Sequence, residues 1–260
     1  MTNFESQRVW ITGASSGIGE ALAYEFHRAG AKVILSARRE DQLQRVQSRC
    51  GGEGSVHVLP LNVMDPEQLS RQAAAALQIF GGIDILVNNA GVSQRSFVKD
   101  TEMQVYRDLM EVNFFGAVAL TKAVLPDMMQ RKSGHIVAIS SLVGKFGTPL
   151  RSGYAASKHA MHGFFDSLRA EVARDGIKVT VVCPGYIRTD ISLNALRGDG
   201  SLHAKMDSGQ EKGMPANECA AKVLKAIAAG KEEVNVGGKD KYLVQVKRFF
   251  PRVFSRMVRA

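Results

Sequence analysis

Residues 8–19 read RVWITGASSGIG, an apolar stretch that runs directly into three closely spaced glycines. The first five residues predict a short strand, and the pattern after Gly17 predicts a helix that reaches Gly30. The glycines permit a tight turn and a close backbone approach, and the free N–H groups at a helix N-terminus attract phosphate. The stretch therefore predicts a phosphate cradle between a strand and a helix.

The spacing of this cradle leaves two other motifs to weigh. Gly-x-x-x-Gly-x-Gly differs from the common dinucleotide fingerprint and lacks the Gly-Lys-Ser/Thr ending of a P-loop. Residues 13–17 also match Gly-x-Ser-x-Gly, the nucleophile elbow of hydrolases, with Ser15 as the nucleophile. An elbow follows a central strand and needs a later acid and histidine, whereas this pattern follows the first strand. The position favours the cradle.

Residues 31–37 predict a second strand, which ends at Arg38 and Arg39. The strand is apolar along nearly its whole length, as in a parallel sheet buried on both faces. In a dinucleotide fold an acidic residue here binds the ribose 2′-hydroxyl, whereas arginine suits a 2′-phosphate. Because Ala37 replaces the acid, the residues favour NADP(H) over NAD(H). The alternative is that two exposed arginines merely open a helix.

Five further apolar segments predict strands that alternate with helical patterns: 56–61, 83–87, 134–141, 177–183 and 234–236. This alternation predicts an α/β fold with a Rossmann-like, doubly wound parallel sheet of seven strands in a single domain. We expect this domain to span residues 1–238.

Tyr154 and Lys158 are four residues apart in a predicted helix, so they share one face. A nearby ammonium favours the phenolate, which predicts a lowered pKa for the tyrosine. Ser141 ends the fifth strand, and its hydroxyl could bind the oxygen that the phenol protonates. Asn113 lies in the apolar helical stretch 102–130, where a buried amide needs partners. It is predicted to be either part of a structural network or a proton relay.

The composition limits the other classes of function. The chain has 260 residues and a net charge of +9, but residues 239–260 hold seven Lys/Arg against one Asp, so +6 lies in this tail. The remaining +3 does not indicate a nucleic-acid-binding domain. Three scattered cysteines without metal-ligand spacing suit free thiols in a reducing compartment, so we expect a cytoplasmic protein without a metal site. We expect no membrane-spanning segment.

Residues 190–214 contain four glycines and predict either a mobile lid over the substrate or a plain surface loop. Apolar side chains in this segment suggest a lipophilic carbonyl or alcohol as substrate: Leu193, Leu196, Leu202 and Met206.

In the tail, residues 239–260, apolar residues recur at the three-to-four spacing of a helix, and basic residues occupy the other side. Pro251 divides or kinks this helical pattern. The apolar residues are Tyr242, Val246, Phe249, Phe250, Val253, Phe254 and Met257. Packing on the domain or on a partner subunit is the favoured hypothesis. A peripheral membrane-surface anchor is the alternative.

Together these motifs resemble those of the short-chain dehydrogenase/reductase family, over residues 8 to 190. The resemblance is carried by Thr12, Gly13, Gly17, Ile18, Gly19, Asn88, Asn89, Ala90, Gly91, Asn113, Ser141, Tyr154, Lys158, Pro184, Gly185 and Thr189. Residues 184–192 and the later Met206-Asp207 place the chain closest to the dehydrogenase/reductase member 7-like branch.

The resemblance implies an oxidoreductase that interconverts a lipophilic ketone or aldehyde and its alcohol. Tyr154 would be the general acid/base, and Lys158 would bind the nicotinamide ribose and lower the tyrosine pKa. Ser141, thirteen residues before the tyrosine, would polarise the carbonyl, in preference to Ser140. Asn113 would hold a water in the proton relay. A non-catalytic NADP(H)-binding sensor or scaffold on the same fold is the alternative.

The resemblance also implies a set of cofactor contacts. They are Gly13, Ser15, Ser16, Gly17, Ile18, Gly19, Arg38, Arg39, Asn62, Val63, Asn89, Ala90, Gly91, Tyr154, Lys158, Pro184, Gly185, Ile187 and Thr189. Ser16 stands where many NADP-preferring members carry a basic residue, and Asn62 replaces the usual aspartate. The helices at 102–130 and 152–175 are where the family forms homodimers or homotetramers.

Overall fold

A computed structural model describes residues 4–52 and 54–259. The strands are β1 (Arg8–Thr12), β2 (Lys32–Ser36), β3 (Val56–Val58), β4 (Ile85–Asn88), β5 (Gly134–Ile139), β6 (Ile177–Pro184), β7 (Ile187–Arg188), β8 (Met214–Pro215) and β9 (Glu233–Val236). Seven of them form one parallel sheet in the order β3-β2-β1-β4-β5-β6-β9, and β7 pairs with β8. The predicted Rossmann-like fold is confirmed.

The helices are α1 (Gly17–Arg28), α2 (Glu40–Arg49), α3 (Pro66–Ile79), α4 (Met103–Met110), α5 (Gly116–Arg131), α6 (Ser152–Glu171), α7 (Ser208–Glu211), α8 (Ala216–Ala228), α9 (Leu243–Phe249) and α10 (Pro251–Met257). A π-helix, Glu111–Phe115, joins α4 to α5. Helices α1, α2 and α8 cover one face of the sheet, whereas α3, α5, α6 and α10 cover the other.

Alternate residues of each strand supply these two cores. In β1, Val9 and Ile11 belong to the first core and Trp10 belongs to the second, and all three are fully buried. Successive side chains of a strand point to opposite faces, so a strand covered on both faces must be apolar throughout. The continuous apolar runs in the sequence therefore predicted the sheet correctly.

The third predicted strand, 56–61, is shorter in the structure because β3 ends at Val58. Pro60 lacks a backbone N–H, so it cannot continue the ladder. Leu59 and Leu61 still donate N–H bonds across to the second-strand region, at 2.9 and 3.0 Å. The chain thus stays alongside β2 and delivers Asn62 to the carboxyl edge of the sheet.

The helical run Met103–Arg131 is long and apolar enough by length and composition to cross a membrane, with a window of mean hydropathy 1.3. From the sequence we expected no membrane-spanning segment. Two polar residues within it, Asn113 and Thr121, are fully buried and bond to groups of the domain. The run is therefore a packed element of the α/β core.

Candidate active site

A pocket opens at the carboxyl edge of β4, β5 and β6, where parallel sheets bind ligands. Tyr154, Lys158 and Ser141 line this pocket together, and Asn89 and Gly91 lie on the cradle side. The two helical residues and the strand-end serine are thus brought to one place by three different elements. This convergence is what the sequence motifs predicted.

Tyr154 lies in the first turn of α6 and is 7% exposed. The start of this helix has no side-chain cap of its own. Instead the fully buried Gln94 accepts hydrogen bonds at Oε1 from the N–H of Gly153 (2.7 Å) and of Tyr154 (3.3 Å). Because the first N–H groups of a helix lack internal partners, Gln94 fixes where the helix begins and so positions the phenol.

Burial raises the pKa of Tyr154, and the neighbouring Ser141 hydroxyl and the positive charges of Arg151 and Arg95 only partly oppose this shift. The lowered pKa predicted from the spacing to Lys158 is wrong for this structure. The Lys158 Nζ donates to the carbonyl of Ile139 at 2.8 Å and lies 5.9 Å from the centroid of the Tyr154 ring. The ammonium is therefore engaged elsewhere, and desolvation determines the phenol pKa.

Lys158 is itself 3% exposed. Burial lowers the pKa of this ammonium to about 8. The protein thus holds a lysine whose charge is costly in the ground state. An opposite charge appearing nearby would be stabilised strongly by such a group, because little water is present to screen the interaction.

Ser141 and its neighbour Ser140 have different surroundings. The half-buried Ser141 donates from Oγ to the Pro184 carbonyl at 3.3 Å and accepts from the Val143 N–H at 3.3 Å. Ser140 is turned into the protein, where its Oγ lies 3.1 Å from Nε2 of His162. The structure therefore supports Ser141 as the residue available to a substrate.

Asn113 lies in the π-helix between α4 and α5 and is fully buried. Its Nδ2 donates to the Val92 carbonyl (3.0 Å) and to Ser157 Oγ (2.9 Å), and its Oδ1 accepts from the Val92 N–H (2.8 Å). A Cβ added to Gly91 would lie 3.1 Å from Asn113 Oδ1 and 3.5 Å from Lys158 Nζ. Asn113 is thus a structural network member, and its relay role stays a prediction.

The backbone of the glycine-rich turn has the conformation and the lack of side chains that a close approach to a phosphate group requires. Gly13 and Gly17 have φ of +63° and +60°, a region that side chains disfavour. A Cβ on Gly19 would lie 2.2 Å from the Gly13 carbonyl oxygen. Asn89 Nδ2 donates to the carbonyls of Gly13 (3.2 Å) and Thr12 (2.9 Å), which holds the turn against the end of β4. The predicted strand, glycine-rich turn and helix are present, and phosphate binding by residues 13–19 stays a prediction.

Thr12 makes contacts that the sequence motif alone did not predict. Its Oγ1 accepts from the N–H groups of Asn89 (3.0 Å) and Ala90 (3.1 Å). Both bonds join the end of β1 to the turn after β4. Thr12 thus sets the spacing between the phosphate cradle and the catalytic pocket.

A second pocket lies beside the cradle, lined by Ser15, Ser16, Gly17 and several arginines. The Arg39 Nη2 lies 3.3 Å from Ser15 Oγ and 3.5 Å from Ser16 Oγ, so its charge faces the turn. Arg38 is exposed and lies outside the lining. Of the two arginines expected to bind a 2′-phosphate, the structure brings only Arg39 to the cradle.

Asn62 and Val63 lie outside the lining of both pockets. The Asn62 amide oxygen accepts from the Met64 N–H at 3.2 Å, and the Asn62 N–H donates to Gln68 Oε1 at 2.6 Å. Val63 packs against α5, where a Cβ on Gly116 would meet its Cβ at 2.8 Å. Asn62 therefore shapes the turn into α3.

The end of β6 and the residues after it contribute Pro184, Gly185, Ile187 and Thr189 to the pocket lining, and Thr189 also lies against Gly17 of the cradle. Ile18, on the cradle side, also contributes.

Asp240 holds this part of the pocket lining in place, since its Oδ2 accepts from the Tyr186 N–H at 2.8 Å. A Cβ on Gly185 would lie 1.8 Å from that oxygen, so a larger residue there would displace the Asp240 carboxylate. Asp240 and Leu243 both line the pocket. The segment predicted to be a separate tail therefore contributes to the site.

The segment predicted as a lid is attached over the pocket. Asp207 accepts from Arg95 Nε at 2.8 Å and from Arg151 Nη2 at 3.2 Å, and both arginines line the pocket. The N–H of Leu196 donates to the Ser93 carbonyl at 2.8 Å.

The apolar lining comes from other residues than those predicted. None of Leu193, Leu196, Leu202 and Met206 lines the pocket, and Leu202 and Met206 are exposed. The apolar walls are instead formed by Leu142, Val143, Phe146, Tyr186, Ile187, Ile191 and Leu243. An apolar pocket was predicted, but a linear segment cannot show which side chains turn inward.

Beneath the site, Cys183 meets two residues that are distant in sequence. The His162 Nε2 lies 3.6 Å from Cys183 Sγ, and its Nδ1 lies 3.7 Å from Glu233 Oε2. Lys145 already neutralises Glu233, and burial raises the pKa of Cys183 to about 12. A cation would need the thiolate and the free carboxylate, so this arrangement favours neutral packing.

Comparison with known proteins agrees with this geometry. Residues 7–199 match the family model of short chain dehydrogenases. The chain is 51% identical over 232 residues to "Dehydrogenase/reductase SDR family protein 7-like" of Anopheles gambiae, covering 87% of this chain and 73% of that relative. It is 47% identical over 256 residues to "Dehydrogenase/reductase SDR family member 7B" of Mus musculus, covering 96% and 79%.

Two solved structures have the same fold. A short-chain dehydrogenase from Streptomyces avermitilis superimposes with a TM-score of 0.83 at 30% identity, covering 97% of this chain and 96% of the other. An alcohol dehydrogenase from Thermococcus sibiricus, solved in complex with 5-hydroxy-NADP, gives 0.77 at 26% identity, covering 90% and 97%.

The chain belongs to the short-chain dehydrogenase/reductase family, and it is an oxidoreductase acting on CH–OH groups. Its nucleotide site is that of a nicotinamide cofactor. Within the family it falls in the member 7-like branch, as the sequence motifs predicted.

Proposed function

We propose that this protein is an NADP(H)-dependent oxidoreductase that interconverts a lipophilic ketone or aldehyde and the corresponding alcohol. The observation that carries the proposal is the convergence of Tyr154, Lys158 and Ser141 in one apolar pocket beside the glycine cradle. A non-catalytic nucleotide-binding protein would not need all three groups there.

The residues present fit a nicotinamide dinucleotide. Residues 13–19 offer backbone N–H groups to the pyrophosphate, and Arg39 with Ser15 and Ser16 would hold a 2′-phosphate. The relative complexed with 5-hydroxy-NADP supports the phosphorylated form. When bound, the cofactor supplies or accepts the hydride.

The side chains of Tyr154, Lys158 and Ser141 carry out the proton transfer and stabilise the charges that it creates. Because burial raises the pKa of Tyr154, its Oη keeps the proton at neutral pH and can donate it to a carbonyl oxygen. The phenolate that remains is stabilised by the charge of Lys158 in a poorly hydrated site. Ser141 donates a hydrogen bond to the same carbonyl oxygen, an interaction typically worth about 3 kcal/mol in the transition state.

The substrate is bound mainly through apolar contacts. Leu142, Val143 and Phe146 form one wall of the pocket, and Tyr186 with Leu243 forms another. Burying apolar substrate surface there contributes about 25 cal/mol per Å². A lipophilic carbonyl compound is therefore the expected class.

The protein is also proposed to form a homodimer or homotetramer. Met103, Phe115 and Met129, on the run of helix from α4 to α5, are exposed. Apolar side chains on one long helix are typical of a subunit interface. Light scattering on the purified chain gives the mass, and a monomer at micromolar concentration would contradict this expectation.

The function is tested with a panel of lipophilic ketones and aldehydes, using the full chain with NADPH and NADH in parallel. We expect NADPH oxidation that depends on the carbonyl, and reduction of NADP⁺ with the matching alcohols. Tyr154→Phe should bind NADPH but lose at least about a hundredfold in rate. If Tyr154→Phe equals the parent in every assay, the protein is a nucleotide-binding sensor or scaffold instead.

A further inference from the structure

The segment after β9 has one apolar side that packs on the domain and another that does not. Phe254 is 3% exposed and contacts the Phe146 ring at a centroid distance of 4.9 Å. Leu243, Val246 and Val258 pack against the same core. The predicted packing on the domain is therefore correct for this side.

A second set of apolar side chains in the same segment faces outward. We call it the tail surface: Tyr242, Phe249, Phe250, Val253 and Met257, which are between 50% (Val253) and 65% (Phe249) exposed. Val253 and Met257 lie four residues apart on one face of α10, next to the buried Phe254, and Phe250 directly precedes the helix. Core packing thus explains only part of the apolar pattern in the sequence.

Basic side chains adjoin the tail surface. Arg252 and Arg256 lie four residues apart in α10, so they form one charged side of the helix next to the exposed apolar face, and Arg259 follows the end of the helix. Lys247 and Arg248 add further charge at the end of α9. An apolar stripe flanked by cations is the pattern of a helix lying in a membrane interface.

The segment also lacks compensating acidic groups. Residues 239–260 carry seven Lys/Arg and one acid, Asp240, whose carboxylate accepts the Tyr186 N–H. This segment therefore carries a net charge of +6 in addition to its exposed aromatic rings. Docking of this surface onto the same surface of a second copy would oppose two such charges, which disfavours self-association through it.

We propose that the tail surface docks peripherally onto an anionic lipid bilayer. Phe249, Phe250 and Val253 enter the interface between headgroups and acyl chains, and Arg252 and Arg256 meet the lipid phosphates. The long cationic side chains can keep their charges at headgroup level while their stems lie along the apolar face. The proposal rests on the exposed surface alone and does not depend on the proposed catalytic function.

The test is co-sedimentation of the full chain with vesicles of phosphatidylcholine alone and of phosphatidylcholine mixed with phosphatidylserine. We expect binding to the anionic vesicles, little binding to the neutral ones, and weakening as salt is added. Deleting the tail is unsuitable as a test because Leu243 and Phe254 pack against the core, so the deletion would also remove core contacts. Surface substitutions leave those contacts in place.

Two pairs of substitutions separate the apolar and the charged contributions. Phe249→Ser with Phe250→Ser, and Arg252→Glu with Arg256→Glu, should each weaken binding to anionic vesicles at least about tenfold. Matched controls alter exposed residues elsewhere: Phe97→Ser with Val98→Ser, and Arg71→Glu with Arg174→Glu. The controls should stay within about twofold of the parent. Unchanged thermal unfolding shows that each variant is folded.

The proposal is overturned if the parent does not bind anionic vesicles, or if either double variant of the tail surface binds them as well as the parent does. It is equally overturned if the control variants lose as much vesicle binding as the tail variants. It is also overturned if a tail pair dissociates an oligomer while vesicle binding persists, because the surface would then be a subunit interface. Vesicle binding is measured without nucleotide or carbonyl compound. A failure of the proposed function would leave this result unaffected.

Discussion

Helix α6, which carries Tyr154 and Lys158, and the C-terminal pair α9–α10 contain the same kinds of side chain in opposite surroundings. Lys158 is 3% exposed and its pKa is lowered to about 8, whereas Lys247 lies on the surface. Phe254 is 3% exposed, and Phe250, four residues earlier, is 62% exposed. The difference shows that burial, more than residue type, decides whether a group serves chemistry, packing or contact with a surface. Matched substitutions test this in four places.

The largest effect is expected at the buried lysine. Lys158→Met fills nearly the same volume but removes the charge, so the phenolate of Tyr154 loses its counter-charge and kcat/KM falls about a thousandfold. Lys247→Met should stay within about twofold, because water screens an exposed charge. Steady-state kinetics of both variants with NADPH measure the contrast. Equal losses in both, or parental activity in Lys158→Met, would contradict it.

The aromatic pair tests packing. Phe254→Ala removes a buried ring that contacts Phe146 and should lower the free energy of unfolding by about 3 kcal/mol or more. Phe250→Ala removes an exposed ring and should change it by less than about 0.5 kcal/mol. Urea unfolding gives both values. A small effect of Phe254→Ala would mean that α10 does not pack on the domain in solution.

The next effect concerns pH. His135 is 7% exposed and bonded to Thr180 Oγ1 at 2.7 Å, and burial lowers its pKa from 6.5 to about 4. As the pH falls, His135 takes up a proton in the unfolded chain at a higher pH than in the folded protein. The contribution of neutral His135 to the free energy of unfolding is therefore fully present above pH 6.5. The free energy of unfolding falls by roughly 2–3 kcal/mol as the pH drops toward 4.

Matched variants distinguish the contribution of His135 to the pH dependence of stability from that of the other histidines. His135→Gln should reduce the slope of stability against pH in that window, while His57→Gln, at an exposed position, should keep the parent slope. Some slope should remain in His135→Gln because burial also lowers the pKa of His162 to about 4. Unfolding by urea at several pH values measures these slopes. An unchanged slope in His135→Gln would show that the site takes up its proton without cost.

The smallest effect distinguishes the two arginines after β2. Arg39→Ala should weaken NADPH binding about tenfold and leave NADH binding unchanged, since only NADPH carries the 2′-phosphate. Arg38→Ala should change NADPH binding by less than about threefold, because the structure places Arg38 outside the pocket beside the cradle. Fluorescence titration with both nucleotides measures the dissociation constants. The reverse order would show that Arg38 turns inward when the nucleotide binds.

Much of the site was predictable because its residues follow strand ends or occupy one helix face. Tyr154 and Lys158 share a face by spacing alone, and Ser141 had to lie at the carboxyl edge once β5 was assigned. Gly13 and Gly19 could be assigned because glycine in a strand–turn–helix has a restricted set of uses. These inferences need only local geometry and the rule that parallel strands share one ligand-binding edge.

Other parts of the site could not be predicted because they depend on contacts distant in sequence. Gln94 positions the start of α6 from about sixty residues away, and no local pattern marks it. Asp240 supports the wall at Tyr186 although it lies in a segment that reads as a tail. The lowered pKa predicted for Tyr154 was wrong because spacing gives proximity to Lys158 but neither desolvation nor the lysine's other partner, Ile139.

The phosphate cradle at residues 8–19, the alternation of strands and helices, and the Tyr154–Lys158 pair were determined by the sequence alone, because each follows from short-range periodicity or from the conformational freedom of glycine. The tertiary structure decided which arginine faces the cradle, which side chains line the pocket, and which half of the tail remains exposed. Those outcomes depend on desolvation and on packing between distant segments, and neither is a property of any single stretch of chain.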